Sequence, residues 1–192
     1  MSEITYSQKN VNHKISYQPS YTNRINVIGG RYEYDGSRQK LEYLVSTDVF
    51  KNFNILSGIE YMKINTNIEG LPSEKEVNSL FTEFLINPLK DTIINLSLRR
   101  EYDSYYDHFD TGRIQLNHNF SKNITLRSSI GSGYRAPTAS QLFNKTYGNK
   151  KLTPEKSLST DVSADIKIPN LATSFYFELF ENVIEDIITA PA

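Results

Sequence analysis

Apolar and polar residues alternate along most of the chain. Over residues 123–134, Ile124, Leu126 and Ile130 fall on one side and Thr125, Arg127, Ser129 and Gly131 on the other. Over 111–120, Ile114, Leu116 and Phe120 oppose Arg113, Gln115, Asn117 and Asn119. Residues 157–168 set Leu158, Val162, Ala164, Ile166 and Ile168 against Ser159, Asp161, Asp165 and Lys167, and 91–102 set Ile94, Leu96 and Leu98 against Asn95, Ser97, Arg99 and Glu101. A period of two held for about ten residues predicts long β-strands with one apolar and one polar face. Further strands are expected over 77–89 and, less strongly patterned, over 2–8 and 12–18. The result is an all-β antiparallel meander of about ten or eleven long strands, with no internal domain boundary and no fixed-period repeat. Such strands exceed the five or six residues or so usual in soluble sheets and match the length a tilted strand needs to cross a bilayer. Alternation alone leaves a long-stranded soluble sandwich and a membrane barrel both open.

The connections add a second pattern. Those at 51–52, 88–90, 121–122 and 169–170 read as short, whereas those at 67–76, 103–110 and 135–156 read as long. Short and long connections therefore fall on opposite ends of the strands, as in outer-membrane barrels with tight periplasmic turns and larger extracellular loops. Asp35-Gly36-Ser37 breaks the series, since Asp-Gly predicts a tight hairpin on the long side.

Composition narrows the function classes. Hydrophobic residues make up 38% of the 192 and aromatics 12%, including 13 Tyr and 10 Phe. Many aromatic and β-branched residues argue against disorder. A net charge of −1 offers no electrostatic case for nucleic acid. Without cysteine there are no disulfides, thiol catalysis or zinc–thiolate sites. No run approaches the roughly 18–20 apolar residues of a membrane helix, and the first residues lack a signal-peptide pattern.

One segment stands apart: Gly133-Tyr134-Arg135-Ala136-Pro137, then Leu142-Phe143, then Gly148-Asn149-Lys150-Lys151-Leu152-Thr153-Pro154-Glu155-Lys156-Ser157. It resembles a signature of TonB-dependent receptors. In that family a strand ends in Gly-aromatic-basic-Ala-Pro and a loop returns through Gly-Asn-x-x-Leu-x-Pro-Glu-Lys-Ser. The flanks, Arg100-Glu101-Tyr102-Asp103 to Arg113 and residues 178–188, are similar to the same family, with spacing nearest the cobalamin receptor group. The resemblance implies part of a transmembrane barrel of about 22 strands, here an open or partly closed half-barrel in the outer membrane of a Gram-negative bacterium. It implies uptake of a scarce chelate such as cobalamin or a ferric siderophore, with outer-membrane lipid and the TonB complex as partners and no resident cofactor. The family's plug domain and closing strands are not recognisable in residues 1–192, so the chain is expected to be a barrel segment. Locally, Pro137 and Pro154 should end strand pairing, Gly148-Asn149 suits a turn with positive φ, and Leu142, Phe143 and Leu152 are placed to staple the loop over the rim.

The candidate ligand-facing residues are Tyr105, Tyr106, His108, Arg135 and Tyr147, although residues of these types at a loop are more often solvated or structural than ligand contacts. Asp103, Asp107 and Asp110 form an acidic stretch with the ligand type, though not the spacing, of a Ca²⁺ site. A barrel enzyme is the rival class. It would need a histidine beside Ser or Asp, yet of His13, His108 and His118 the last falls on an apolar face and no pairing recommends the others. A surface-binding β protein without energised transport is the other alternative.

Overall fold

The computed structural model describes residues 1–26 and 32–189, which form one ten-stranded antiparallel sheet in strictly sequential order. The strands are β1 (Ser2–Gln8), β2 (Val11–Asn26), β3 (Tyr32–Phe50), β4 (Phe53–Ile68), β5 (Leu71–Leu89), β6 (Thr92–Asp103), β7 (Asp107–Ser121), β8 (Ile124–Arg135), β9 (Glu155–Ile168) and β10 (Thr173–Glu185). A short helix, α1 (Ala139–Phe143), lies in the β8–β9 connection. The sheet is open, with β1 and β10 at its edges.

The faces expected from alternation are those observed. Register places Ile15, Tyr43, Ile59 and Leu80 on one row, and Tyr17, Leu41, Tyr61 and Tyr102 lie on the next row of the same face. Many side chains on this face are exposed, among them Ile59 (56%), Leu80 (60%), Leu98 (49%) and Ile114 (52%). The only deeply buried apolar side chains among the described residues are Ile68, Val77, Leu142 and the two loop prolines, Pro137 and Pro154. A water-soluble sheet would cover so large an apolar face with another layer. Here the covering medium is lipid, and the outward tyrosine row of Tyr17, Tyr61 and Tyr102 at one border, with Phe50 and Phe120 at the other, makes the aromatic girdles of a bilayer-spanning wall.

β4 shows where the lipid ends. Phe53, Ile55, Ile59 and Tyr61 point outward and alternate with Asn54, Gly58 and Glu60. Beyond Tyr61 the pattern reverses: Lys63, Asn65 and Asn67 take the outward positions, and Ile64 and Ile68 turn inward. β3 follows suit, since Asp35, Ser37 and Gln39 precede Leu41, Tyr43 and Val45 on its outward face. The long strands β2–β5 therefore rise past the bilayer on this side, with water outside and apolar packing within.

Several expected connections differ. The long loop at 67–76 is a tight turn at 69–70, with Glu69 and Gly70 at φ 51° and 82°. Asn67, Glu74 and Glu76 within it are outward positions of strands that have left the lipid. Asp35-Gly36-Ser37 is no hairpin but the interior of β3, paired with β2 and β4. The Tyr34 ring lies over Gly36, and a Cβ there would come 2.7 Å from the Tyr34 hydroxyl unless that ring moved aside. The connection at 103–110 shrinks to 104–106. The strict short–long parity is thus not present, and only 136–154 is long among the described connections.

Candidate functional site

The inward face carries a ladder of charges. Lys40 on β3 bridges Glu42 (2.9 Å) and Glu60 on β4 (2.7 Å). Arg99 on β6 reaches Glu60 (3.2 Å), Glu101 (2.9 Å) and the Ser79 hydroxyl on β5 (2.6 Å). Tyr134 on β8 donates to Glu101 and stacks on Phe109, with ring centres 4.2 Å apart. Farther along, Arg113 donates to Ser129, which donates to Asp161, and Arg127 pairs with Asp165. Every strand from β3 to β9 contributes. Half-buried charges in such a row keep their solvation through one another, so the inward face is polar yet ordered.

Over one end of this face lies the 136–154 connection. α1 begins with a capping box, in which Thr138 accepts from the Gln141 amide and the Gln141 side chain accepts from the Thr138 amide. Leu142 is buried, and the buried Asn144 accepts from the amides of Thr146 and Tyr147 through its side chain. Gly148 passes so close that a Cβ would sit 2.4 Å from the Asn144 carbonyl oxygen. Neither Gly148 nor Asn149 has positive φ, so the glycine serves close approach and not the left-handed turn expected of it. Pro137 and Pro154 stand just outside β8 and β9, as expected. Lys145 donates to the Glu69 carbonyl in the β4–β5 turn (2.7 Å), four strands away from β8. Along a flat sheet that separation is roughly 19 Å, so the sheet is concave on its charged side and the loop arches across it.

The five sequence-derived candidates have different surroundings. Tyr105 and Tyr106 occupy the β6–β7 turn. Tyr105 lies edge-on to Tyr106 and to Phe143 of α1, and its hydroxyl donates to the Glu74 carbonyl (2.6 Å). Lys75 lies over the Tyr106 ring and pairs with the fully buried Asp103 carboxylate (2.5 Å). Burial pushes both phenols above their ordinary range, which keeps them neutral. Tyr147 meets the Ser140 hydroxyl (2.9 Å) and remains 45% exposed. Arg135 forms a two-pronged pair with Glu155 (2.5 and 2.6 Å), and Glu155 also accepts from the Ile188 amide (2.7 Å). Held by that guanidinium and amide, the Glu155 carboxyl falls to about 2. His108 stands apart, opposite Tyr102 on the outward face and 3.3 Å from Asp107. Tyr105, Tyr106 and Phe143 thus converge, while Arg135 clasps strands and His108 faces outward.

The acidic stretch does not converge: Asp103 pairs with Lys75, Asp110 with Arg100 and Asp107 with His108. Residues that sequence reading missed are Lys75, Lys145 and Lys150, the last over the Phe143 ring at 5.6 Å. Lys145 reaches Glu69 only because the loop crosses four strands, and Lys75 meets Asp103 and Tyr106 across neighbouring strands, contacts that no local pattern encodes. The ladder was half legible, because Arg99 and Glu101 alternate with leucines on one strand.

The chain matches the family model described as "TonB dependent receptor-like, beta-barrel" over residues 3–192. It is 24% identical over 160 residues to the vitamin B12 transporter BtuB of Vibrio vulnificus, covering 79% of this chain and 25% of that protein. Its fold is similar to that of the siderophore receptor PirA from Pseudomonas aeruginosa (TM-score 0.78, 16% identity, 93% of this chain and 36% of that one). A variant of the ferric enterobactin receptor PfeA from the same organism gives a TM-score of 0.76 at 16% identity, covering 94% of this chain and 33% of that one. The chain thus spans about a quarter of the curated relative's length and about a third of each solved structure.

Proposed function

The chain belongs to the TonB dependent receptor-like β-barrel family, and we propose that it is part of the wall of an outer-membrane receptor that imports a scarce small chelate, either cobalamin or a ferric siderophore. The observation that carries this reading is the division of the sheet into an exposed apolar belt, a charged concave face and a loop arched over one end of that face. The belt requires lipid, and the concave face provides polar walls for a lumen. Tyr105, Tyr106, Tyr147 and Phe143, with Lys75, Lys145 and Lys150 nearby, offer aromatic and cationic contacts at the mouth. Such a surface suits a flat or anionic chelate better than an apolar ligand.

Transport belongs to the whole receptor, of which this sheet is one portion. The remaining wall strands, a plug in the lumen and the TonB complex complete it. No catalytic step is assigned. His13 bonds the Tyr43 hydroxyl, His118 bonds Thr92 and His108 lies by Asp107, so none is paired with a serine nucleophile.

The reading is tested by uptake in cells whose own receptors are deleted. The complete receptor containing this chain should restore TonB-dependent accumulation of labelled cobalamin or of a ferric siderophore. Accumulation of either without TonB, or of neither, would overturn it.

A further inference from the structure

The short-turn rim carries a repeat that ligand uptake does not explain. A lysine opens each of four turns: Lys9-Asn10, Lys51-Asn52, Lys90-Asp91 and Lys122-Asn123. In each, the carbonyl of the second residue accepts a backbone hydrogen bond from the next hairpin: Asp48 to Asn10 (3.3 Å), Asn87 to Asn52 (2.9 Å), Asn119 to Asp91 (2.8 Å) and Lys167 to Asn123 (2.8 Å). The turns are thereby stitched into one rim, with a lysine at every second strand, roughly every 10 Å. All four lysines are exposed, and none enters an ion pair among the described residues. Beside three of them large apolar side chains are exposed: Phe50 (69%), Leu89 (66%) and Phe120 (64%), with Leu171 (69%) at the fifth turn. The described tight turns of the opposite rim, 69–70 and 104–106, contain no lysine.

We propose that this rim is a lipid-headgroup collar. The lysines hold the phosphates of anionic phospholipids in the leaflet on the short-turn side, while Phe50, Leu89 and Phe120 enter the acyl layer just beneath them. A lysine at the edge of an apolar belt lays its methylene stem along that belt and lifts its ammonium to headgroup level. Four fixed ammoniums facing an anionic surface each add attraction that salt weakens. Solvation alone calls for a polar turn, not for the same cation at four turns of otherwise unrelated hairpins. The collar fixes the depth and tilt of the wall, whichever ligand the receptor carries.

The test uses the complete receptor containing this chain, refolded into phosphatidylcholine vesicles that hold spin-labelled phosphatidylglycerol or phosphatidylcholine as the reporting lipid, with heat-dependent gel migration as the check on folding. The wild type should favour phosphatidylglycerol about threefold at low salt, and the preference should fade in high salt. K9Q/K51Q/K90Q/K122Q should lose it, whereas K9R/K51R/K90R/K122R and the loop variant K145Q/K150Q/K151Q should keep it. Overturning results are no preference in the wild type, a preference that survives the glutamine set, or one that disappears with the loop lysines. Equally tight, rim-dependent binding of soluble polyglutamate would also overturn it, because the rim would then be a general polyanion site.

Discussion

The two halves of β4 set opposite solvents against one continuous strand. From Phe53 to Tyr61 the outward residues are apolar except Ser57, whose hydroxyl is paired with that of Thr82, and the inward ones include Glu60, held by Lys40 and Arg99. From Met62 to Ile68 the outward residues are Lys63, Asn65 and Asn67, and Ile68 is fully buried on the inside. From Asn54 to Ile68 the backbone ladder runs through both without a break, so hydrogen bonding does not distinguish them. What differs is the medium. Lipid outside demands apolar side chains and tolerates charges only toward the lumen, whereas water outside permits the reverse. Side-chain polarity thus records the height at which the wall leaves the bilayer.

Neighbouring residues on β6 expose that contrast most sharply. Leu98→Arg places a cation in the outward belt and should cost about 2–4 kcal/mol, while Asn65→Arg, outward on β4 but past the belt, should cost under about 1 kcal/mol. Denaturant unfolding in bilayers reads both, and equal costs would break the comparison. Arg99→Leu, one position along and inward, leaves Glu60 and Glu101 without their shared cation. The expected loss is about 2–3 kcal/mol, below the roughly 3–5 of a fully buried pair because Arg99 keeps 32% exposure. A neutral or stabilising result would mean that the ladder is a hydrated surface only.

The fold was legible where the medium is uniform along a strand. On β6 to β9 most apolar positions meet lipid, with Ile93 and Phe109 the inward exceptions, so Leu96, Leu98, Ile114 and Ile130 keep strict alternation and their faces could be read directly. It was illegible where the medium changes mid-strand. Asn65, Asn67, Glu74 and Glu76 look like a polar loop because polarity has switched faces, and Asp35-Gly36 looks like a turn although Tyr34 covers the glycine within β3. The loop signature at 133–157 was readable in its proline stops, Pro137 and Pro154, and in the buried Leu142. The Thr138–Gln141 capping box was not read, and Gly148 serves close approach in place of the expected left-handed turn. Which of the loop's residues meet Tyr105 or Glu69 was not readable either, since those partners come from strands four removed or turns far away in sequence. Arg135 is the instructive case: its residue type and place in the signature were legible, but its two-pronged pair with Glu155, which ties the end of β8 to the start of β9, was not.

The inner packing of the protruding half gives a smaller effect. Leu142→Ala should cost about 2 kcal/mol and act locally, seen as faster hydrogen exchange across 136–154 with the sheet ladder unchanged. Gly148→Ala should loosen the same segment through its clash with the Asn144 backbone. Loss of the whole sheet in either variant would show that loop and wall are one cooperative unit.

The smallest effect is a pH dependence at the clasp. Glu155 titrates at about 2 in the folded protein, below its ordinary 4.5. A depressed carboxyl contributes its stabilisation in full above the ordinary value and loses it as pH falls from there through about 2. Protection of the Ile188 amide should therefore be steady at neutral pH and decline between those values, and in Glu155→Gln it should be low throughout. Protection independent of pH in the wild type would remove the clasp from the structure.

The most direct measurement is a single-cysteine scan of residues 53–68 on β4, a segment of a 192-residue chain that contains no cysteine of its own. Each cysteine carries a spin label in bilayers and is probed with oxygen, which concentrates in lipid, and with a water-soluble nickel chelate. Outward labels at 53, 55, 57, 59 and 61 should respond to oxygen, those at 63, 65 and 67 to nickel, and inward labels at 64 and 68 weakly to both. Nickel access at all outward positions, or oxygen access continuing past 63, would contradict a wall that leaves the membrane at Tyr61.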